Sequence, residues 1–249
     1  MNLMSPSGKH YPKAPITEAV IGFLVELPPD MSAGALEQTH KGEETRYPAV
    51  EPLMSNVGQM VFGPQASASA SSTPTGFLFR SADKKQIYQS RLDGFTMSRL
   101  APYGRWEEFC SEGRRLWDIY RSIAQPSRVV RAAVRYINRI NIPLPVNDFG
   151  DYLRTAPQVS ADLPQGLSGY FMQLMLPLPD IKGYALINET IIEPASPNVV
   201  SIVLDIDIFR TDDLPSAEND LWALLEQFRH VKNNVFEACI TDKARGLFR

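Results

Sequence analysis

Two cysteines, three histidines and no long hydrophobic run are found among the 249 residues of this chain. Each scarcity removes a class of protein. Cys110 and Cys239 are too few for a disulfide framework or a zinc knuckle. His10, His40 and His230 lie far apart, without the H-x-x-x-H spacing that sets two imidazoles on one helix face. No glycine-rich phosphate loop is legible, because neither G-x-G-x-x-G nor G-x-x-x-x-G-K-[ST] occurs. The G-x-S-x-G nucleophile elbow is missing too. The best apolar stretch, Ile16 to Leu27, is interrupted by Glu18 and Glu26, and nothing approaches the roughly 18 residues of a membrane span. Met1 to Lys13 has no apolar centre of signal-peptide length. The expectation is a soluble, cytoplasmic protein with no membrane association, no metal and no cofactor.

What is present is globular. Hydrophobic residues make up 44% and charged residues 21%, enough for a core without staples. A net charge of -3 argues against non-specific binding to nucleic acid or to anionic membranes. Proline is abundant, with 20 residues against an ordinary share of roughly 5%. Most prolines stand where a predicted element ends, as at Pro28-Pro29, Pro126, Pro143 and Pro145, and so limit strand extension.

The pattern of apolar residues predicts an α+β fold, a mostly antiparallel long-stranded sheet with two long amphipathic helices packed on it. Alternation marks strands over Ala14–Leu27, Gly76–Arg80, Gln86–Leu92, Phe95–Leu100, Ser127–Leu144, Ser168–Leu176, Tyr184–Glu193 and Val199–Arg210. Asp93-Gly94 is the strongest hairpin signal. Three- and four-residue spacing marks one helix over Arg105–Ile123 and another starting after a Ser216 cap and running through Ile240. Ser32 caps a shorter helix to about Glu44, and Asn147 caps another over Asp148–Thr155. Tyr47–Gly63 fits no pattern. Ala66–Thr73, an Ala/Ser run without periodicity, reads as the centre of a mobile loop over 64–75. The whole reads as one unit over 1–249 with a loose lead-in at 1–13. The order strand-strand-strand-helix occurs twice, which outlines two halves at 14–145 and 146–249.

Three constellations carry chemistry. In R-A-A-V-R-Y-I-N-R-I-N, Arg131, Arg135 and Arg139 recur every fourth residue, about 13 Å apart on one strand face. Three guanidiniums so spaced can line a groove for phosphate or carboxylate groups, a small anionic ligand. A solvated face is the commoner use of such a row. In L-D-I-D-I-F, Asp205 and Asp207 share a face and can hold a hard cation or pair with those arginines, and cross-strand pairing is favoured. A third carboxylate for a metal would come from Glu18 or Glu189, each set in an apolar strand. Tyr136 and Asn138 put polar groups on the apolar face of the long strand, as an internal hydrogen-bond network or a ligand contact. His230, Lys232, Asn233, Asn234 and Glu237 read as a polar patch on the surface of the last helix.

Several segments together resemble one bacterial family. They are A-P-I-T-E-A-V near the start, G-F-L-F-R, D-G-F-T-M-S-R-L-A-P-Y with W-E-E-F, then R-Y-I-N-R-I, L-D-I-D and K-N-N-V-F-E-A-C-I-T-D. The family is a sporadically distributed, uncharacterised one of about 250 residues, and the likeness runs from Tyr11 to Phe248. It implies no activity, ligand or catalytic residue. Its patchy distribution is similar to that of toxin–antitoxin and phage-defence genes, an association and not a mechanism. The function expected first is therefore a binding or interaction module of a bacterial accessory system of that kind, with a protein partner or a small anionic ligand. The alternative is a metal-assisted enzyme acting on a phosphate-containing substrate, with the arginines on phosphate and Asp205 and Asp207 on the ion. A cavity for a hydrophobic ligand ranks third, because Phe, Tyr and Met fill the inner strand positions.

Overall fold

Alternating strands and two striped helices need each other, since each stripe must cover an apolar sheet face. A computed structural model, describing residues 11–61 and 67–249, shows that arrangement. The strands are β1 (Ile16–Glu26), β2 (Ala49–Val61), β3 (Ser67–Arg80), β4 (Gln86–Arg91), β5 (Gly94–Leu100), β6 (Arg128–Pro143), β7 (Phe171–Leu178), β8 (Gly183–Ile192) and β9 (Val199–Arg210). The helices are α1 (Trp106–Ala124), α2 (Glu218–Cys239) and the short α3 (Asp242–Gly246), with 3-10 turns at Ala33–His40, Phe149–Asp151 and Pro179–Ile181. The strands join in one antiparallel sheet, ordered β2-β3-β4-β5-β1-β6-β9-β8-β7. Two strings of elements share one ordering. The string β1, β3, β4, β5, α1 has strand order β3-β4-β5-β1, and the string β6, β7, β8, β9, α2 has order β7-β8-β9-β6.

Packing divides the chain into two compact units. The first comprises Gly22–Arg99 and Trp106–Val130. Here α1 lays Trp106, Phe109, Leu116, Trp117 and Tyr120 on the sheet, all buried. The Trp117 ring lies 4.4 Å from Phe23 and 5.8 Å from Phe95, and Tyr120 stacks on Trp117 at 5.5 Å. Arg115 forks onto Glu43 at 2.5 and 2.7 Å and onto Glu112 at 2.8 and 2.9 Å, tying α1 to the segment after the first 3-10 turn. The two carboxylates hold Arg115 more firmly protonated than an ordinary arginine. At Gly94, where β5 begins, a Cβ would stand 2.1 Å from the Phe23 carbonyl oxygen, so only glycine allows that approach.

The second unit comprises the described part of Met1–Ile21, with Leu100–Arg105 and Arg131–Arg249. Here α2 buries Leu221, Leu224, Leu225, Phe228, Val231, Val235, Phe236 and Cys239. It packs on β9, whose Ile202, Leu204, Ile206 and Ile208 are fully buried. Burying such side chains contributes about 1.5–3 kcal/mol each before the entropy cost is counted. The chain end is pinned by polar contacts. Arg245 donates to Glu237 at 2.7 Å, and Tyr11 donates to the same carboxylate at 2.6 Å. The Lys13 amide donates to the Phe248 carbonyl at 3.0 Å.

Several expectations need correction. The Ala/Ser run is no loop: residues 67–75 belong to β3, and 67–74 pair with β2 up to a register shift at Thr75, while 62–66 lie outside the described residues. Cross-strand hydrogen bonding overrides a composition without periodicity. Tyr47–Gly63, which fits no pattern, supplies β2. The cap position of the last helix is Ala217, without a side-chain cap bond, and not Ser216. The turn near residue 148 is capped by the Asp148 carboxylate, not by Asn147, and reaches only to Asp151. Lys232 and Asn234, expected on a solvated helix face, are buried. The expected lead-in at 1–13 falls mostly outside the described residues.

Candidate binding face

In the second unit α2 packs on one face of β9, and its Lys232 reaches the Tyr136 ring of β6. The opposite face carries the arginine and aspartate rows. Pleating sends odd-numbered residues of β6 and β9 to that open face. The antiparallel register sets Arg135 opposite Asp207 and Ile137 opposite Asp205. The ion pairs form along the diagonals. Arg135 holds Asp205 bidentately, Nε to Oδ1 at 2.8 Å and Nη2 to Oδ2 at 2.6 Å. Arg131 donates from Nη2 to Asp207 Oδ2 at 2.6 Å. Asn188 of β8 adds a third donor to Asp205 at 3.2 Å. Arg139 reaches the Glu193 carbonyl at 2.8 Å and the Ser201 hydroxyl at 3.3 Å. Arg131 and Arg135 thus go to aspartates, and Arg139 goes to a backbone carbonyl and a hydroxyl.

The burial of the partners is unequal. The carboxylates are sunk, with side-chain exposures of 6% for Asp205 and 11% for Asp207, while Arg135 keeps 45% and Arg131 25%. Asp205 holds the Arg135 guanidinium above the usual arginine range. Burial lifts the Asp207 carboxyl above the usual range, outweighing the nearby Arg131 charge. Asp207 Oδ1 has no hydrogen-bond partner among the described residues. Glu18 adds a negative charge to the surroundings of Arg135. The Arg–Asp pairing favoured from sequence is the arrangement found. Arg135 takes both Asp205 oxygens and Arg131 takes Asp207 Oδ2, and no group of three metal-ligating side chains occurs among the described residues.

Aromatic side chains flank the ladder. The Arg131 guanidinium lies 4.5 Å above the Phe209 ring, and Tyr184 stacks on Phe209 at 5.7 Å. Tyr184 stays 38% exposed on β8, and Phe171 and Met175 on β7 are 68% and 59% exposed. The open face therefore combines one paired charge ladder with uncovered aromatic and thioether side chains. Such a surface can offer Arg135 to an acceptor and its aromatics to an apolar group.

Tyr136 and Asn138 lie on the other face, under α2. Asn138 is buried and donates to the Leu204 carbonyl at 3.0 Å and the Tyr136 carbonyl at 3.3 Å. The Tyr136 hydroxyl meets the Tyr103 hydroxyl at 2.7 Å. Over the Tyr136 ring, at 3.5 Å, sits the Lys232 ammonium. Desolvation pulls Lys232 down to about 7. Farther along that face Glu189 is fully buried. It accepts from the Tyr170 hydroxyl at 2.6 Å through Oε1 and has no partner at Oε2 among the described residues. Desolvation pushes it up to about 7.

Sequence reasoning named Glu189 only as a spare metal ligand and placed Lys232 in water. It gave Tyr103 and Tyr170 no role. A lysine amid the stripe Phe228, Val231, Val235 was the one legible sign for Lys232. No protein-family model matches the chain, and no curated protein is similar to it.

Proposed function

We propose that this protein is a binding module of a bacterial accessory system, of toxin–antitoxin or phage-defence type, and that it meets a protein partner on the open face of β6, β9, β8 and β7. The observation that carries the reading is the state of that face. Its two aspartates are paired with Arg131 and Arg135, while Tyr184, Phe171 and Met175 stand uncovered beside them. An exposed aromatic patch rimmed by charge is the surface type that protein partners use. The engagement of Asp205 and Asp207 by arginine supports this reading over a metal-assisted phosphate enzyme, because a cation would have to displace two short ion pairs. The accessory-system part rests on the family resemblance alone.

The test is affinity purification from the native host with two baits, the natural chain and Tyr184→Asp, whose exposed ring is not needed for the core. The reading expects a protein retained by the first bait and lost by the second, with both baits equally folded by circular dichroism. Identical eluates from both baits, or no retained protein at all, would overturn it.

A further inference from the structure

Residues 154–170, which lead into β7, form neither helix nor strand, and none of them is buried. The hydrogen bonds described for 156–169 stay within the stretch. The Leu163 amide donates to the Ser160 carbonyl, the Asp162 amide to the Ser160 hydroxyl, and the Gln165 side chain to the Ser160 and Leu163 carbonyls. Its hydrogen-bonded hold on the rest of the unit is at its two ends. At one end the Arg154 amide donates to the Cys239 carbonyl at 2.8 Å, and Thr155 bonds the Cys239 thiol. At the other, the Tyr170 hydroxyl donates to Glu189 at 2.6 Å, and the Tyr170 carbonyl accepts from the Thr190 hydroxyl at 2.7 Å. The stretch thus lies over two buried groups, the Glu189 carboxyl at 0% exposure and the Cys239 thiol at 2%.

We infer that the Tyr170–Glu189 bond is a proton-controlled latch: with Glu189 protonated the stretch 155–170 lies closed, and with Glu189 ionised it lifts and admits water to Glu189 and Cys239. Burial sets the direction. Glu189 Oε2 has no partner among the described residues, so an ionised Glu189 is a charge held by one hydrogen bond. Water is what can solvate it further, and water enters only on opening. The groups that face Glu189 offer no cation. The stretch brings the Tyr170 hydroxyl, and the end of α2 brings the Cys239 thiol, itself held protonated by burial and by the Glu189 charge. Among the elements around Glu189, the stretch is the one that can yield. β8 is bonded to β7 and to β9, and α2 buries a full apolar stripe, whereas 154–170 buries nothing. Phe171, the residue after Tyr170, is 68% exposed, so opening also loosens that corner of the open face. The latch does not depend on a partner binding there.

Labelling of Cys239 by N-ethylmaleimide in the full chain tests it, mapped by peptide mass spectrometry and divided by the rate for glutathione at the same pH. Glu189 is held up at about 7 in the closed state, against its ordinary 4.5 once solvated. The opening equilibrium, and with it the corrected rate, should then rise about 25-fold from pH 5.5 to pH 8. Glu189→Gln keeps an acceptor for Tyr170 and cannot ionise, so it should lose that rise. Tyr170→Ala removes the latch from the other side and should speed labelling at pH 5.5 by about tenfold. The opening constant from labelling should exceed that from hydrogen exchange of the β9 amides by at least about tenfold, as local opening requires. A natural chain whose corrected rate does not change with pH overturns the inference, whether or not the variants fold. A Glu189→Gln chain that keeps the rise, or a Tyr170→Ala chain that labels like the natural one at pH 5.5, overturns it too. Equal constants for Cys239 and β9 would mean global unfolding and overturn it as well.

Discussion

Glu189 is a buried carboxyl whose ionisation the structure makes costly. It is 0% exposed, accepts one hydrogen bond, and leaves Oε2 unpartnered among the described residues. Its carboxyl is pushed from an ordinary value of 4.5 to about 7, first by desolvation, with the Tyr170 bond opposing. A raised folded-state value means that the unfolded chain ionises first as pH rises. Below about pH 4.5 both states hold the proton and the native state carries no penalty. Stability then falls as pH rises, and above about pH 7 the loss is complete. The shift of about 2.5 units corresponds to about 3 kcal/mol. Glu189→Gln keeps the acceptor for Tyr170 and does not titrate. Urea unfolding of both proteins at pH 4.5 and pH 8 reads the effect as a difference of differences, in which every other titrating group cancels. The natural protein should lose about 3 kcal/mol more than Glu189→Gln between those pH values. Parallel losses, within about 0.5 kcal/mol, would refute the reasoning, as would a Glu189 carboxyl carbon titrating near 4.5 by NMR.

Lys232 acts in the opposite sense. Its ammonium is pulled from 10.5 to about 7 by burial, so its cost is full below about pH 7 and is relieved as pH rises toward 10.5. Lys232→Met should be more stable than the natural chain at pH 6, with the gap narrowing by pH 9 in calorimetry; a gap independent of pH would contradict this. Arg135→Ala strips the sunken Asp205 of its bidentate partner and should cost about 2 kcal/mol, reduced from the fully buried case because Arg135 is 45% exposed. The double variant Arg135→Leu/Asp205→Leu should recover most of that loss in the same unfolding assay. Gly94→Ala drives a Cβ to 2.1 Å from the Phe23 carbonyl oxygen and should cost about 3 kcal/mol, read as a melting temperature lower by several degrees.

Much of the architecture was legible because its signals are local. Period-two alternation in β6 and β9, and the stripes Trp106–Tyr120 and Leu221–Cys239, need no partner to be read. β2 and the first part of β3, before Gly76, were not legible, because in them strand formation comes from the neighbouring strand and not from propensity. The same division runs through the candidate site. The rows of Arg131, Arg135 and Arg139 and of Asp205 and Asp207 follow from alternation alone. Whether they meet depends on β6 lying beside β9 in one register out of many.

By itself, then, the sequence determined the α+β class, the two helix stripes and which side chains share a strand face, since these follow from periodicity along the chain. Tertiary structure decided which charges neutralise each other and where Glu189 and Lys232 lie. Those outcomes depend on burial, and burial belongs to what packs on a residue and not to the residue. A lysine that looks solvated in the sequence and a glutamate set in an apolar strand both become strongly desolvated in the folded second unit.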